Sequence, residues 1–588
     1  MAQRAPVPDA SPRRPASRAP VRLRFRRQAL FALPGESLSQ ALLRADLVPW
    51  TRSLRYHRPR GPFCGLGQCT GCLVNVGGEP NVRACQAIAR DGDVVQDQNG
   101  WPSARWDLLE LLDLIFPRHL DTLHGFRRPA AFTPLYQRVV RRLAGYGKLP
   151  PGAPPPFPRS LQWSAELLVV GGGPAGSAIA EGLAGRFPEL SVLLLDRGRR
   201  RGGLPEAAPG NLRRHRGASL IFLPPPEPSG PFRGLVALDS GATAEVTARR
   251  VVLATGGYDA SLVFAENDRP GIYTGDGALA LVPPDSPPPF AHAALVGATP
   301  RGAELLRVLG PAVEHLVSLE PLDPRARQEW EGLGPRVLDD RLVLGSTGGR
   351  RVDGLRLKDR RSGALEHIRA DAVILAVRRL PNVPLFSQAG AALEWRAEVG
   401  AYFPVLWPSG ETSVLGLYAA GEAAGFSGPE SARSSSERVL SALSAELRGE
   451  RPTVPPSPRE ERNGPEQVPF LLSYYHEWLR SETRGKAFLC PCEDVVVEEL
   501  DEAVHEGFQG TEEIKRVTGT GTGLCQGRYC LPEALLLLSV LEGRPPQELG
   551  YITQRPPVWP VYLGGLAAPP VPDPASEVTA SGTAEEGP

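Results

Sequence analysis

Leu167-Leu168-Val169-Val170-Gly171-Gly172-Gly173-Pro174-Ala175-Gly176 is an apolar run that ends in a glycine turn, and the small residues from Ser177 to Leu183 carry it on as a helix. Glycine is required where a strand-to-helix turn brings the backbone against a pyrophosphate, and the helix N-terminus then offers its amides to that anion. A second apolar run, Val192 to Leu195, ends on Asp196, twenty positions after Gly176, where an acid meets the adenosine ribose. A glycine turn alone is weak evidence. Strand, glycines, helix, strand and acid in that order point to a dinucleotide site, with Gly171, Gly173, Pro174, Ala175 and Gly176 at the phosphates and Asp196 at the ribose. The alternative is a glycine-rich loop in an ordinary βαβ unit.

Two later stretches belong with this turn. Arg249 to Leu253 is a buried strand that runs into Ala254-Thr255-Gly256-Gly257, a return to the cofactor domain in which Thr255 and Gly256 approach the ligand. Gly416-Leu417-Tyr418-Ala419-Ala420-Gly421-Glu422 is a strand end presenting a carboxylate beside a glycine, with a helix from about Ser431 to Leu447. Gly421 and Glu422 are expected at the ribityl chain of FAD. With both ends present, about 250 positions apart, residues 161–274 and 386–450 form a split FAD-binding domain. The inserted region, 275–385, carries Val296-Gly297-Ala298-Thr299-Pro300-Arg301-Gly302, which mimics a second Rossmann turn. Thr299 stands where the middle glycine belongs, and a Cβ there obstructs a pyrophosphate. A vestigial NAD(P)-like domain is therefore expected, with NAD(P) a doubtful ligand; a working NAD(P)H site is the alternative.

The eight cysteines make two groups of four with none left over. Cys64, Cys69, Cys72 and Cys85 are spaced C-x4-C-x2-C-x12-C, and Gly65, Gly67 and Gly71 let the loop wrap a cluster and turn its amides to the sulfurs. Cys490, Cys492, Cys525 and Cys530 are spaced C-x-C-x32-C-x4-C, beside expected helices at 497–506 and 512–517. Each group reads as a [2Fe-2S] site, with structural zinc as the rival and the more serious one at the second group. A long chain without a secretory signal does not use cysteines in this pattern as a disulfide framework.

The bulk numbers set the frame. A chain of 588 residues exceeds one hydrophobic core. A net charge of +1 gives no steering toward nucleic acid or acidic membranes, so no nucleic-acid partner is expected. No run of eighteen apolar residues predicts a transmembrane segment. The first 27 residues hold eight Arg and one Asp without an apolar core, which reads as a disordered basic tail or a transit peptide rather than a secretory signal. A cytoplasmic location is expected.

The expected domains are a basic tail at 1–20, a ferredoxin-like [2Fe-2S] domain at 21–100, and a helical connector with a proline-rich linker at 101–160. The split FAD domain and its insert follow, then a linker at 451–485, a small helical [2Fe-2S] domain at 486–550 and a tail at 551–588, disordered beyond 566. Arg127, Arg128, Arg138, Arg141 and Arg142 make the connector basic, as a solvated face or a docking surface. The fold class is multidomain α/β: a β-grasp domain, a two-dinucleotide-binding Rossmann-type domain with its insert, and the helical C-terminal domain. No catalytic His, Asp or Lys constellation stands out, and no CxxC pair lies beside the dinucleotide turns, which excludes a disulfide reductase.

Over nearly its whole length the chain resembles the FAD and iron–sulfur alpha subunits of heteromeric amine oxidoreductases: sarcosine oxidase alpha, hydrogen cyanide synthase, octopine and nopaline oxidases, and dye-linked proline dehydrogenases. The matching segments are Gly171 to Gly176, Asn267-Asp268-Arg269-Pro270-Gly271-Ile272 and Leu417 to Glu422. Tyr56-His57-Arg58-Pro59-Arg60-Gly61 with the first cysteine loop is similar to that family's small ferredoxin-like subunit. Cys525-Gln526-Gly527-Arg528-Tyr529-Cys530 is similar to the bacterioferritin-associated-ferredoxin type of [2Fe-2S] domain. The resemblance implies a fusion of small and large subunits holding FAD and two clusters. It also implies a second, amino-acid-oxidase-like flavoprotein partner that oxidises an amine or imino acid, and an external electron acceptor. Glu422 stands where the family commonly has Asp. The sequence lacks the long folate-binding C-terminal half of sarcosine oxidase alpha, which puts use of tetrahydrofolate in doubt.

Overall fold

The computed structural model describes residues 20–120, 160–198, 209–228, 230–282, 287–426, 428–450, 468–481, 485–567 and 570–572. The expected basic tail, the Arg127–Arg142 stretch and the proline linker lie outside the described residues.

Residues 21–31 alternate Arg with apolar side chains and fold as a hairpin: β1 (Val21–Phe25) and β2 (Gln28–Ala32) turn at Arg26. β3 (Leu73–Val76), β4 (Glu79–Arg83) and β5 (Asp93–Gln96) complete a sheet in the order β2-β1-β5-β3-β4, with β1 and β5 parallel and the other pairs antiparallel. Helix α1 (Leu38–Arg44) starts at Ser37, which forms a capping box with Gln40, and lays Leu38, Ala41, Leu42 and Leu43 into the core with Leu23, Phe25 and Val95. This is the expected β-grasp arrangement. In the expected helical connector the described helical residues are a 3-10 turn at Leu108–Glu110 and a short helix at Leu111–Ile115.

The split domain is built on β6 (Ser160–Val170), α2 (Pro174–Arg186), β7 (Val192–Asp196), β8 (Leu212–Arg216) and the antiparallel pair β9 (Ala218–Phe222) and β10 (Phe232–Leu238). β11 (Thr243–Leu253) lies parallel to β6 over nearly its full length, and the sheet order is β8-β7-β6-β11-β10-β9. The chain leaves through β12 (Gly257–Asp259) and passes into a second sheet. There β13 (Ile272–Thr274), β14 (Ala293–Val296), β15 (Val313–Val317), β16 (Arg336–Leu338) and β17 (Ala372–Leu375) stand parallel in the order β13-β17-β14-β15-β16. Helix α3 (Gly275–Leu281) follows β13, and α4 (Pro300–Leu309) follows β14. The chain returns through β18 (Arg379–Pro381), antiparallel to β12, so exit and re-entry form one ribbon. β19 (Leu417–Ala419) then joins β11 as the fifth parallel strand of the first sheet, and α5 (Pro429–Leu447) packs on α2. Strands buried on both faces explain the continuous apolar runs 167–170, 192–195 and 251–253.

In the C-terminal domain the Cys490 strand, Phe488–Cys490, pairs with Val495–Val496. α6 (Val497–His505), α7 (Gly510–Thr518) and α8 (Leu531–Glu542) close over it, with Leu535 to Leu538 of α8 fully buried. Beyond residue 550 the chain packs back on the FAD domain: Val558 N donates to Ile221 O at 2.9 Å, and Thr243 Oγ1 donates to Gly565 O at 2.8 Å. Past 566, where disorder was expected, Pro570–Pro572 runs parallel to Ser160–Gln162. The reason is geometric: β6 is 11 residues long and β7 only five, which leaves that end of β6 open on one edge. Among the described residues no helix is long and apolar enough to cross a membrane.

Candidate functional site

Contacts that exclude a side chain shape the turn after β6. Gly171 has φ +113°, and a Cβ there would overlap Ala254 O at the end of β11, while a Cβ on Gly176 would overlap Gly171 O. Helix α2 begins at Pro174 with no side chain capping its first amides. An uncapped N-terminus at the carboxyl end of a parallel sheet is a ready anion site. Asp196 reaches back from β7 and accepts a hydrogen bond from Gly172 N at 3.3 Å. Gly421, at φ +65°, packs so closely that a Cβ on it would lie 3.0 Å from Ala175 Cβ. Thr255 Oγ1 donates to Asn382 O at 3.2 Å, and Gly256 turns with φ +71°. The two segments 250 positions apart therefore meet at the start of α2, where the first amides lack a side-chain cap and Asp196 lies beside Gly172. These residues fit the pyrophosphate and adenosine ribose of FAD.

Glu422 lies one step further along the same cleft. Its carboxylate accepts from Gly257 N at 2.9 Å and pairs with Arg379 Nη2 at 2.9 Å. Arg379 Nη1 also reaches Asp259 and Asp276, each at 3.1 Å, and Arg301 binds the same two acids. Burial and then the neighbouring Asp276 push Asp259 up to about 6, although Arg301 and Arg379 pull the other way. Sequence reading had not marked this group. Its signal is faint: two arginines, Arg378 and Arg379, a few positions after the buried strand β17, and an acid at the end of β12.

The second Rossmann turn is occupied by its own side chain. Thr299 Oγ1 donates to Ala376 O at 2.7 Å and accepts from Gly302 N at 3.1 Å, so it caps α4 itself. The amide that a pyrophosphate would need is already engaged, and Arg301 points to Asp259 and Asp276. These residues do not fit a dinucleotide phosphate.

All eight cysteines are free thiols, seven of them buried. They gather in pairs, and among the described residues no three or more His, Cys, Asp or Glu side chains are arranged so that they could hold a metal ion. In the first set burial opposes ionisation of Cys64. The Cys69 thiol and the amides of Cys69, Leu66 and Gln68 outweigh it and lower the Cys64 thiol. Hydrogen bonding to Cys64 and burial raise Cys69, and Cys85 and burial raise Cys72. In the second set Cys492 Sγ lies 3.8 Å from Cys525 Sγ. Its thiol lowers Cys525, helped against burial by the Tyr529 and Gly527 amides and by the charge of Arg528. Cys490 and burial raise Cys530, the residue that starts α8. In each set burial and hydrogen bonding between neighbouring thiols lower one sulfur and raise others, so the sulfurs of a set lie close enough to act on one another.

Arg58 and Arg60, between α1 and the first cysteine loop, hold this assembly together. Arg58 Nε donates to Asp268 at 2.8 Å and Arg58 Nη1 to Asp113 at 2.7 Å. Arg60 binds Asp268, Asp494 and Pro491 O. Burial alone would raise Asp268, yet the two guanidinium groups hold it at about 2.

Comparison with known proteins places this arrangement. Residues 18–100 match the 2Fe-2S iron-sulfur cluster binding domain family, 169–236 the NAD(P)-binding Rossmann-like domain family, and 484–569 the sarcosine oxidase A3 domain family. Sarcosine oxidase subunit alpha of Rhizobium meliloti (strain 1021) is 28% identical over 93% of this chain and 57% of its own length. Hydrogen cyanide synthase subunit HcnA of Pseudomonas aeruginosa is 34% identical over 85 residues, which cover 14% of this chain and 81% of that protein. The crystal structure of L-proline dehydrogenase from P. horikoshii shares the fold, with a TM-score of 0.65 at 22% identity over 93% of this chain and 97% of that one. The chain spans about half the length of the sarcosine and opine oxidase subunits it matches. The chain thus carries a 2Fe-2S iron-sulfur cluster binding domain at its start and a sarcosine oxidase A3 domain near its end, and over nearly its whole length it is similar to sarcosine oxidase subunit alpha.

Proposed function

We propose that the chain is the electron-transferring subunit of an amine or imino-acid oxidoreductase, paired with a second, amino-acid-oxidase-like flavoprotein that takes the hydride from the C–N bond. The observation that carries this reading is the contrast between the two Rossmann turns: one is open at α2, and the other is closed by Thr299. One dinucleotide is bound, and the route for a soluble nicotinamide donor is blocked, so reducing equivalents come from a partner. Bound FAD supplies a two-electron acceptor that can release electrons singly, and each [2Fe-2S] cluster carries one. The chain's own residues position these groups. Gly171, Gly173, Pro174, Ala175 and Gly176 present the α2 amides, and Asp196 receives the ribose. Thr255, Gly256, Gly421 and Glu422 line the far end. Cys64, Cys69, Cys72 and Cys85 hold one cluster, and Cys490, Cys492, Cys525 and Cys530 a second. An external acceptor takes the electrons onward.

The test is to express the chain with its neighbouring flavoprotein subunit and assay metal, flavin and turnover. About one FAD and about four irons per chain are expected, with an amine or imino acid reducing an artificial dye only when both subunits are present. About two irons with bound zinc would remove the second cluster. Dye reduction by this chain alone would overturn the division of labour.

A further inference from the structure

The two cysteine sets are far apart in sequence and adjacent in the fold. Cys64 and Cys69 of the first share one apolar core with Cys490, Cys492, Cys525 and Cys530 of the second. Tyr529, 3% exposed, stands between them. Its amide turns toward the Cys525 sulfur. Its hydroxyl donates to Gln68 Oε1 at 2.8 Å, and the Gln68 amide in turn faces the Cys64 sulfur. Its ring meets Phe63 edge-on at 5.4 Å and Tyr258 at 5.6 Å, the latter on the ribbon strand β12. Arg60 fixes the spacing from the other side through Pro491 O, the residue between Cys490 and Cys492, at 3.3 Å.

We propose that the two cysteine sites work as one interacting pair, with Tyr529 as the positioning residue that ties the Cys525–Cys530 loop to the Cys64–Cys69 loop through Gln68. This rests on the reading above that both sets hold [2Fe-2S] clusters. In so dry an environment the charge added to one site on reduction is poorly screened at the other. The two sites therefore resist simultaneous reduction, and two paramagnetic centres this close perturb each other's spectra.

The experiment is a dithionite titration of the full-length, cluster-loaded chain followed by low-temperature EPR, with iron counted on the same sample. The expected result is about four irons per chain, narrow signals at half reduction, and broadened or split signals at full reduction. Cys72→Ser, which disables the first site, should leave the remaining signal narrow throughout. Tyr529→Phe keeps both ring contacts and removes only the Gln68 bond; it should keep the iron and shift the g values and midpoint potential of the first cluster. Four irons with strictly additive spectra would overturn the pairing while leaving the two-cluster reading intact. Two irons would overturn both. Coupling that is identical in Tyr529→Phe would overturn the role given to Tyr529.

Discussion

At the scale of single residues, Gly171 carries the heaviest constraint. Its φ of +113° lies where side-chain-bearing residues are strained, and the space a Cβ would take is filled by Ala254 O. Gly171→Ala must therefore open the contact between the turn and the end of β11, where the proposed flavin site lies. A penalty of about 2 kcal/mol on the bound geometry corresponds to more than a tenfold loss of affinity. The expected outcome is a protein that purifies with little flavin absorbance while its iron content stays at the wild-type level. Full flavin occupancy in Gly171→Ala would show that the turn does not meet the cofactor. Arg379 and Glu422 make the opposite kind of residue-scale feature. Nothing local forces them together, and only the antiparallel ribbon of β12 and β18 brings Arg379 beside Gly257 and Glu422.

At the scale of elements, the starts of α2 and α4 tell two outcomes of one motif. α2 leaves its first amides without a side-chain cap, whereas α4 satisfies one with Thr299. Thr299→Ala removes that cap and is expected to lower stability by about 1 kcal/mol in chemical denaturation. Because the native turn is closed, anaerobic NADH or NADPH should leave the wild-type flavin oxidised; bleaching within seconds would mean that a nicotinamide site exists after all. These helix starts were legible in the sequence because glycine, proline and threonine act on the backbone within a few positions. The cysteine spacings were legible for the same reason, as was the split of the FAD domain, since both of its ends carry glycine turns. What could not be read is the adjacency of elements. The Tyr529–Gln68 bond spans 461 positions and the Arg60–Asp494 pair 434, and neither leaves a local pattern. The strand at Pro570–Pro572 was missed because proline and small residues read as disorder, while the open edge of β6 that accepts them is a tertiary fact.

At the scale of the whole molecule, three domains converge on buried ion pairs. Arg58 and Arg60 come from the β-grasp domain, Asp268 from the segment leading into the second sheet, and Asp494 from the C-terminal domain. Asp268 is held at about 2 by the two guanidinium groups against its burial, below the ordinary value near 3.9. A carboxyl group whose folded value is depressed stabilises the fold above its unfolded value and loses that contribution as pH falls toward the folded one. The window is therefore about pH 4 to about pH 2, and two units there are worth about 2 to 3 kcal/mol. Asp259 works the other way. Raised to about 6, it holds its proton in the folded state, so its contribution weakens as pH climbs from about 4 to about 6. Stability measured by denaturant should thus fall on acidification below pH 4, with iron released in the same range, because Asp268, which joins the β-grasp domain to the second sheet, is being protonated there. Asp268→Asn should be less stable at pH 6 and should lose most of the slope below pH 4. If the slope persists unchanged in Asp268→Asn, the acid sensitivity lies in the cluster thiolates themselves and not in the arginine clamp that joins the domains.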